Sequence, residues 1–259
     1  DNLRAVIADD PPFKGGLCSR VDSQGYYVFK YSDDGGRSWS DKRYPIPVRE
    51  TDIDRTNPYG GKVRYFWNVG KPFILNGAAY VSLHKVGGLG EGFFTSSEGV
   101  LLRSPDLLTV SDPAAAAWET LPEGEIGLRT PAGGGPVAEE HSTVVLSDGS
   151  LMTVYRTIDG HPVCAYSRDG GRTYEPPRYM RYADGGLIKH PRAAGFAWKC
   201  ENGKYLYWFH NHGGKFIAGH PQRRSYAYFG RNPVWLCGGV EVPGAHGPEI
   251  AWSQPEIAL

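Results

Sequence analysis

Ser32-Asp33-Asp34-Gly35-Gly36-Arg37-Ser38-Trp39 recurs further along the chain as Ser167-Arg168-Asp169-Gly170-Gly171-Arg172-Thr173-Tyr174. Each copy follows a β-type run, Tyr26-Tyr27-Val28-Phe29-Lys30-Tyr31 and Val163-Cys164-Ala165-Tyr166. The pattern reads as a hairpin turn. Its Asp carboxylate accepts backbone N–H groups of its own turn, its glycines supply positive φ, and its aromatic residue packs into a neighbouring apolar layer. Leu101-Leu102-Arg103-Ser104-Pro105-Asp106 is a weaker copy, again at a strand end.

A second repeat interleaves with the first. Phe73-Ile74-Leu75-Asn76-Gly77 turns into Tyr80-Val81-Ser82-Leu83-His84. Val144-Val145-Leu146-Ser147-Asp148-Gly149 turns into Met152-Thr153-Val154-Tyr155-Arg156. Ala197-Trp198-Lys199-Cys200-Glu201-Asn202-Gly203 turns into Tyr205-Leu206-Tyr207-Trp208-Phe209-His210. Each is a strand, an Asn-Gly or Asp-Gly hairpin signal and a return strand. Together the two repeats define a four-stranded antiparallel unit, A to D, in which A and B form the glycine hairpin and the Asp turn joins C to D. Such a unit repeated along a chain is a β-propeller blade.

The expected fold is therefore all-β: one partial propeller domain over 1–259, with a half blade at about 1–50 and blades at about 65–122, 139–182 and 189–259. No stretch reads as an amphipathic helix, although Pro113–Trp118 can hold one helical turn. The 35 glycines and 20 prolines among 259 residues suit many short strands and turns. Lys and Arg total 28, as do Asp and Glu. Zero formal charge gives no reason to expect nucleic acid as a partner, and no apolar run is long enough to insert in a membrane as a helix. Cys18, Cys164, Cys200 and Cys237 contain no CxxC pair and read as core residues or as one disulfide, which leaves the compartment open. No His, Asp or Cys spacing marks a metal site, and no cofactor is expected. The chain opens on Asp1 without a leader, which reads as a mature form or a piece of a longer protein.

The two strong Asp turns resemble the Asp-boxes of the sialidase (neuraminidase) superfamily, and the blade pattern covers nearly the whole chain. The resemblance implies a six-bladed propeller, of which three and a half to four blades would be present as an internal piece. It does not single out sialidase chemistry, because similar turns occur in lyases, other glycosidases, lectin-like modules and non-enzymatic propellers.

Blade geometry sorts the polar residues. The A–B and C–D turns share one face, so Asp34 and Asp169 are structural. The starts of A and ends of B share the other face, where strand A lines the central channel. On that face the sequence places Asn68 and Lys71, Glu139-Glu140-His141, and His190 and Arg192 at strand A, with His84, Tyr155-Arg156 and His210 closing strand B. Arg156 and Arg192 suit a clamp on a substrate carboxylate, the alternative being inter-blade salt bridges. Glu139 and Glu140 suit acid, base or charge stabilisation, and strand alternation lets at most one face the channel. Tyr155 suits a nucleophile or the aromatic inter-blade layer. His84 and His141 suit acid/base work or sugar contacts. Lys71, Asn68, His190 and His210 suit substrate binding. The Gly87–Gly92 run reads as a mobile B–C loop, and 131–136 as a loop or lid into blade three.

The resemblance implies three arginines on a substrate carboxylate, a Tyr–Glu nucleophile pair and an Asp acid/base. Arg156 and Arg192 would be two of the arginines, and Tyr155 with Glu139 or Glu140 the pair. Asp9, Asp10, Asp52 and Asp54 remain open for the acid. The expected function is an exo-sialidase-like glycoside hydrolase acting on an acidic oligosaccharide or polysaccharide. Two alternatives stand beside it, a polysaccharide lyase of uronate-containing glycans and a non-catalytic carbohydrate-binding propeller. A secreted or periplasmic location follows by association with glycan substrates.

Overall fold

The structure, a computed structural model, describes residues 27–61, 63–66, 69–90, 93–212 and 231–258. Four antiparallel sheets follow one another along the chain. The half blade is the pair β1 (Tyr27–Phe29) and β2 (Tyr44–Ile46), joined through the first Asp turn. Blade two comprises β3 (Tyr65–Phe66), β4 (Phe73–Leu75), β5 (Ala78–Gly90), β6 (Phe93–Ser104) and β7 (Glu119–Leu121). Blade three is β8 (Glu139–Val145), β9 (Leu151–Arg156), β10 (Val163–Ser167) and β11 (Arg178–Tyr179), in plain A-B-C-D order. Blade four comprises β12 (Phe196–Lys199), β13 (Tyr205–Phe209), β14 (Trp235–Pro243), β15 (Pro248–Trp252) and β16 (Glu256–Ile257).

Two blades depart from the simple unit. In blade two, strand A is split: β3 pairs with Lys85 and His84 at the upper end of β5, and β4 pairs with its lower end. In blade four, strand D is split between β15 and β16, both on β14. The Gly87–Gly92 expectation needs correction. Gly87–Gly90 lie within β5, which pairs with β6 across a bulged ladder as far as Gly90↔Phe93, so this part is an extended hairpin arm. Glu91 and Gly92 lie outside the described residues.

Both strong Asp turns have the expected bonding. Asp34 accepts the N–H groups of Arg37 and Ser38, both at 2.9 Å, and the Ser38 hydroxyl at 2.7 Å. Asp169 accepts the Thr173 N–H at 3.0 Å and its hydroxyl at 2.6 Å. The weak copy also works as a turn, with Asp106 accepting the Ala117 N–H at 2.9 Å. Gly171 has a double reason to be glycine. Its φ is +95°, and a Cβ there would lie 3.0 Å from the Leu101 side chain of blade two.

Apolar faces of successive blades form the core. Val144, Met152, Val154, Tyr166, Tyr205, Tyr207, Phe209 and Trp252 join blades three and four. Tyr80, Leu101, Leu121 and Leu151 join blades two and three. Burying such side chains contributes roughly 1.5–3 kcal/mol each. Blade three is sandwiched, so all six residues of β9 are buried. Cys164 and Cys237 are buried free thiols, Cys200 is a free thiol near the surface, and Cys18 lies outside the described residues.

Among the described residues, helix is confined to a 3-10 turn over Pro113–Ala115 and to α1 (Asp52–Thr56). The second was not anticipated, although Thr51 and Asp54 form a capping box that was readable as T-x-x-D. Among the described residues no helix is long and apolar enough to cross a membrane, and no group of three or more His, Cys, Asp or Glu is arranged to hold a metal ion.

Candidate functional site

The start of β8 and the end of β9 lie side by side, with Glu139 opposite Arg156. The ladder then slips between Glu139 and Ser142, and Glu140 takes a φ of +55°. This bulge breaks strand alternation. The expectation that only one of the two carboxylates faces the channel is corrected for that reason, because both reach Arg156. Glu139 accepts from its Nε and Nη2, each at 2.9 Å, and Glu140 lies 2.8 Å from its Nη1.

Arg192 enters from the segment leading into blade four. Its Nη2 donates to Glu139 Oε1 at 2.6 Å and its Nε to Oε2 at 3.1 Å. The same Nη2 donates to the Phe94 carbonyl of β6 at 2.7 Å, so one guanidinium ties blades two, three and four. Glu139 is fully buried and Arg192 only 3% exposed. Burial alone would raise the Glu139 carboxyl, but the Arg156 and Arg192 charges outweigh it and bring it down to about 2. Glu139 is therefore a fixed anion near neutral pH and cannot donate a proton there. Arg192 is correspondingly a brace inside the protein, placed beneath the carboxylates instead of at the channel surface.

Histidines surround this node. The His84 ring lies 5.2 Å from Phe66 and 5.9 Å from Phe94, and its Nδ1 is 3.5 Å from the Glu140 N–H. His141 stacks on Tyr155 at 4.5 Å and sits over Gly99, where any Cβ would fall 1.9 Å from its Nε2. Burial and then the neighbouring His84 push His141 well below its usual range, so it is neutral. The Tyr155 hydroxyl donates to the Arg129 carbonyl at 2.7 Å, and burial raises the phenol well above its ordinary value. Tyr155 thus occupies the inter-blade layer, which does not suit a nucleophile.

His190 is likewise a structural pin. Its Nε2 donates to the Ala193 carbonyl at 2.7 Å, which leaves Nδ1 to accept the His210 N–H at 3.2 Å. Burial lowers it to about 3, so both ring nitrogens are committed to backbone in the neutral form. The ring of His210 stacks at 6.0 Å from His190 and is buried, and burial first and the Arg231 charge second lower it. Lys71 is exposed, in the excursion between β3 and β4, because the upper end of blade two's split strand A is Tyr65–Phe66. Asn68, Asp9 and Asp10 lie outside the described residues. Asp54 is buried and salt-bridged to Lys85, and Asp52 pairs with Arg55 at 2.7 Å, so neither is placed as a free acid.

Arg231 is the residue that sequence reasoning missed. It precedes strand C of blade four, on the same face as the starts of A. Burial lowers its guanidinium below the usual arginine range, Arg156 adds repulsion and Glu140 opposes both. Starts of C share the face of the starts of A and ends of B, and that rule of blade geometry is the sequence signal that points to Arg231. The 131–136 loop is pinned, with Gly135 donating to Asp159 at 3.0 Å and Thr130 donating to the Gly135 carbonyl at 2.7 Å. It forms a fixed wall, so the lid alternative is set aside.

No family model and no curated protein matches the chain. Solved structures do. The intramolecular trans-sialidase of Ruminococcus gnavus, in complex with oseltamivir carboxylate, matches with TM-score 0.57 and 18% identity, covering 90% of this chain and 40% of that one. The leech intramolecular trans-sialidase, complexed with 2,7-anhydro-Neu5Ac, matches with TM-score 0.55 and 19% identity over 90% and 29%. The NanB sialidase of Streptococcus pneumoniae gives 0.52 and 17% over 90% and 28%. This chain spans less than half the length of these solved chains, and over nine-tenths of its own length it has the fold of a sialidase-type β-propeller, present in part.

Proposed function

We propose that this chain supplies the carboxylate-binding part of a sialidase-type site, in a protein that cleaves or transfers a terminal acidic sugar. The observation that carries this reading is the gathering of Arg156, Arg192 and Arg231 around Glu139 and Glu140 at the channel face. Three guanidiniums against two carboxylates leave one cationic charge in excess, and planar guanidinium is the group that best matches a carboxylate. The fold neighbours include two intramolecular trans-sialidases and a sialidase, which supports a sialic acid as that sugar.

Within this reading the roles divide by depth. Arg231 and the outer edge of Arg156 meet the sugar carboxylate. Glu140, held at its strained φ, is the carboxylate nearest the channel and stabilises developing positive charge. Glu139 and Arg192 set the geometry from beneath. Tyr155, Asp52 and Asp54 are otherwise engaged, so nucleophile and acid come from elsewhere in the propeller. Sialylated glycans lie outside the cytoplasm, and the protein is assigned there on the same grounds.

A second reading, binding without turnover, is favoured by that same engagement of Tyr155 and the aspartates. Saturation-transfer NMR with N-acetylneuraminic acid tests the part common to both. Arg231→Ala should weaken binding about tenfold or more at unchanged melting temperature, and equal binding by both proteins would remove the site. Incubation of the full protein with 3'-sialyllactose separates the readings: free or anhydro sialic acid means turnover, and intact substrate means binding alone. An ultraviolet-absorbing unsaturated product from uronate oligomers would move the reading to a lyase.

A further inference from the structure

We infer that Ser82 and Ser97 of blade two are positioning residues for the carboxylate pair, clamping the β8 bulge that turns Glu140 onto Arg156; their part in ligand binding rests on the reading of the arginine cluster given above. Strand alternation would send Glu139 and Glu140 to opposite faces. The structure avoids this by holding Glu140 at a φ of +55°. A non-glycine residue keeps such a conformation only where its surroundings over-determine it.

The bulge takes Glu140 and His141 out of register with β9. Backbone groups that leave a ladder need partners elsewhere when they are buried. Blade two supplies them on both sides of Glu140. Before it, the Ser97 hydroxyl donates to the Ala138 carbonyl at 3.0 Å and accepts the Ala138 N–H at 3.1 Å. The Ser97 N–H also donates to the Pro136 carbonyl at 3.0 Å, so this part of β6 is sewn to the entry of β8. After it, the Ser82 hydroxyl of β5 donates to the His141 carbonyl at 2.7 Å. Between the two serines, His84 Nδ1 faces the Glu140 N–H at 3.5 Å.

These side chains interrupt an apolar face. Tyr80 of β5 and Leu101 of β6 pack with Leu151 of blade three. Towards the channel, β5 continues on that side with Ser82, and β6 with Gly99, where a Cβ would strike the His141 ring, and then Ser97. Both serines are buried, at 4% and 2% exposure. A buried hydroxyl is costly unless it is bonded, so packing alone would favour apolar side chains at both positions. What the hydroxyls contribute is the shape of the β8 backbone. Without them Glu140 relaxes toward an extended φ, and its carboxylate turns away from Arg156. Arg156 then keeps Glu139 alone, and its guanidinium is less well fixed for an incoming carboxylate.

Nuclear magnetic resonance of the full chain with labelled glutamate tests this, the Glu140 signal being assigned by its loss in Glu140→Gln. The Cα and Cβ shifts of Glu140 distinguish a positive φ from an extended strand. In the Ser82→Ala, Ser97→Ala double variant they should move to strand values, and the affinity for N-acetylneuraminic acid should fall about tenfold. Ser82→Thr with Ser97→Thr keeps both hydroxyls and should restore the parent shifts and affinity. A serine that only adds stability would move neither readout in the folded protein. Melting temperatures identify a double variant that fails to fold, and each single alanine variant should then show part of both changes. Parent shifts in the alanine variants overturn the clamp, whatever happens to binding. Moved shifts with parent affinity overturn the positioning role, because Glu140 then takes no part in binding. If the parent itself does not bind the acid, the cluster reading fails, and the Glu140 shifts with their threonine rescue decide the clamp alone.

Discussion

The two ends of blade three carry charge in opposite ways. At the turn end, Asp169 lies at the surface and every bond that fixes it comes from its own eight-residue turn. At the channel end, Glu139 is fully buried and is held by arginines 17 and 53 positions away. A local, solvated acceptor is cheap and can be read from a short motif. A buried charge is tolerated only when distant partners are brought to it, and their removal leaves the charge stranded. The first kind of charge builds the blade, and the second locates the site.

The sharpest way to break this contrast is Arg192→Ala. It leaves Glu139 with one guanidinium and removes the tie to Phe94, so it should destabilise by about 3–5 kcal/mol, measured by denaturant unfolding. A carboxylate clamp at the channel surface would behave the opposite way, its loss weakening binding far more than folding. Loss of under about 1 kcal/mol would mean that Arg192 is a surface ligand after all. Glu139→Gln with Arg192→Met should recover much of the loss, because neither charge is then stranded.

Next in size is Gly171→Ala, which tests the turn end. A φ of +95° and a 3.0 Å approach to Leu101 act together. The expected cost is on the order of 1–3 kcal/mol, whereas Gly149→Ala, at a φ of +86° with open space around it, should cost less. Equal losses would show that backbone conformation alone decides, and that packing of the second Asp turn on blade two adds nothing.

The channel end also predicts a pH dependence. His190 is held near 3 in the fold against about 6.5 when unfolded. A depressed folded value means that the unfolded chain binds the extra proton first. Stability is therefore full above about pH 6.5 and falls as pH drops from there toward 3, by about 1.4 kcal/mol per unit for one proton. Glu139, lowered to about 2, adds its own loss only below its unfolded value near 4.5. Unfolding midpoints between pH 6 and 5 should thus slope in the parent and slope less steeply in His190→Gln, the remaining slope coming from His141 and His210, which burial also lowers. An unchanged slope would transfer the effect to other groups, His141 first.

The fold was legible because its signals are local. An Asp turn or an Asn-Gly hairpin is a few residues that determine their own geometry, and two such repeats sufficed to order A to D. The split strands were hidden, since nothing in Tyr65–Phe66 announces that it pairs above β4. The site was half legible. Strand ends could be assigned to a face, which brought Glu139, Arg156 and Arg192 together correctly. Depth could not be assigned: Arg192 was open between a carboxylate clamp and an inter-blade salt bridge, and the structure holds it on Glu139 and the Phe94 carbonyl, with His190 bonded to backbone. The bulge at Glu140 was also invisible, because a non-glycine residue at φ +55° has no sequence signature.

The smallest expected effect compares the two Asp turns themselves. Their hydrogen bonds are nearly the same, but their surroundings differ. The aromatic of the first, Trp39, is 58% exposed. The second is seated on blade two: its Gly171 lies against Leu101 and Leu121, and its Arg172 reaches Glu123 at 2.7 Å. Removing Asp169 lets a turn relax that also contributes inter-blade packing, so Asp169→Ala should cost on the order of 1–2 kcal/mol. Asp34→Ala breaks an equivalent set of bonds in a turn that water can satisfy, and its effect on the melting temperature should be the smaller of the two. Neither variant should alter the affinity for N-acetylneuraminic acid, because both turns lie at the far end of their blades from the arginine cluster. Lost affinity in a normally stable Asp169→Ala protein would place the site at the turn end and invert the division of labour between the two faces.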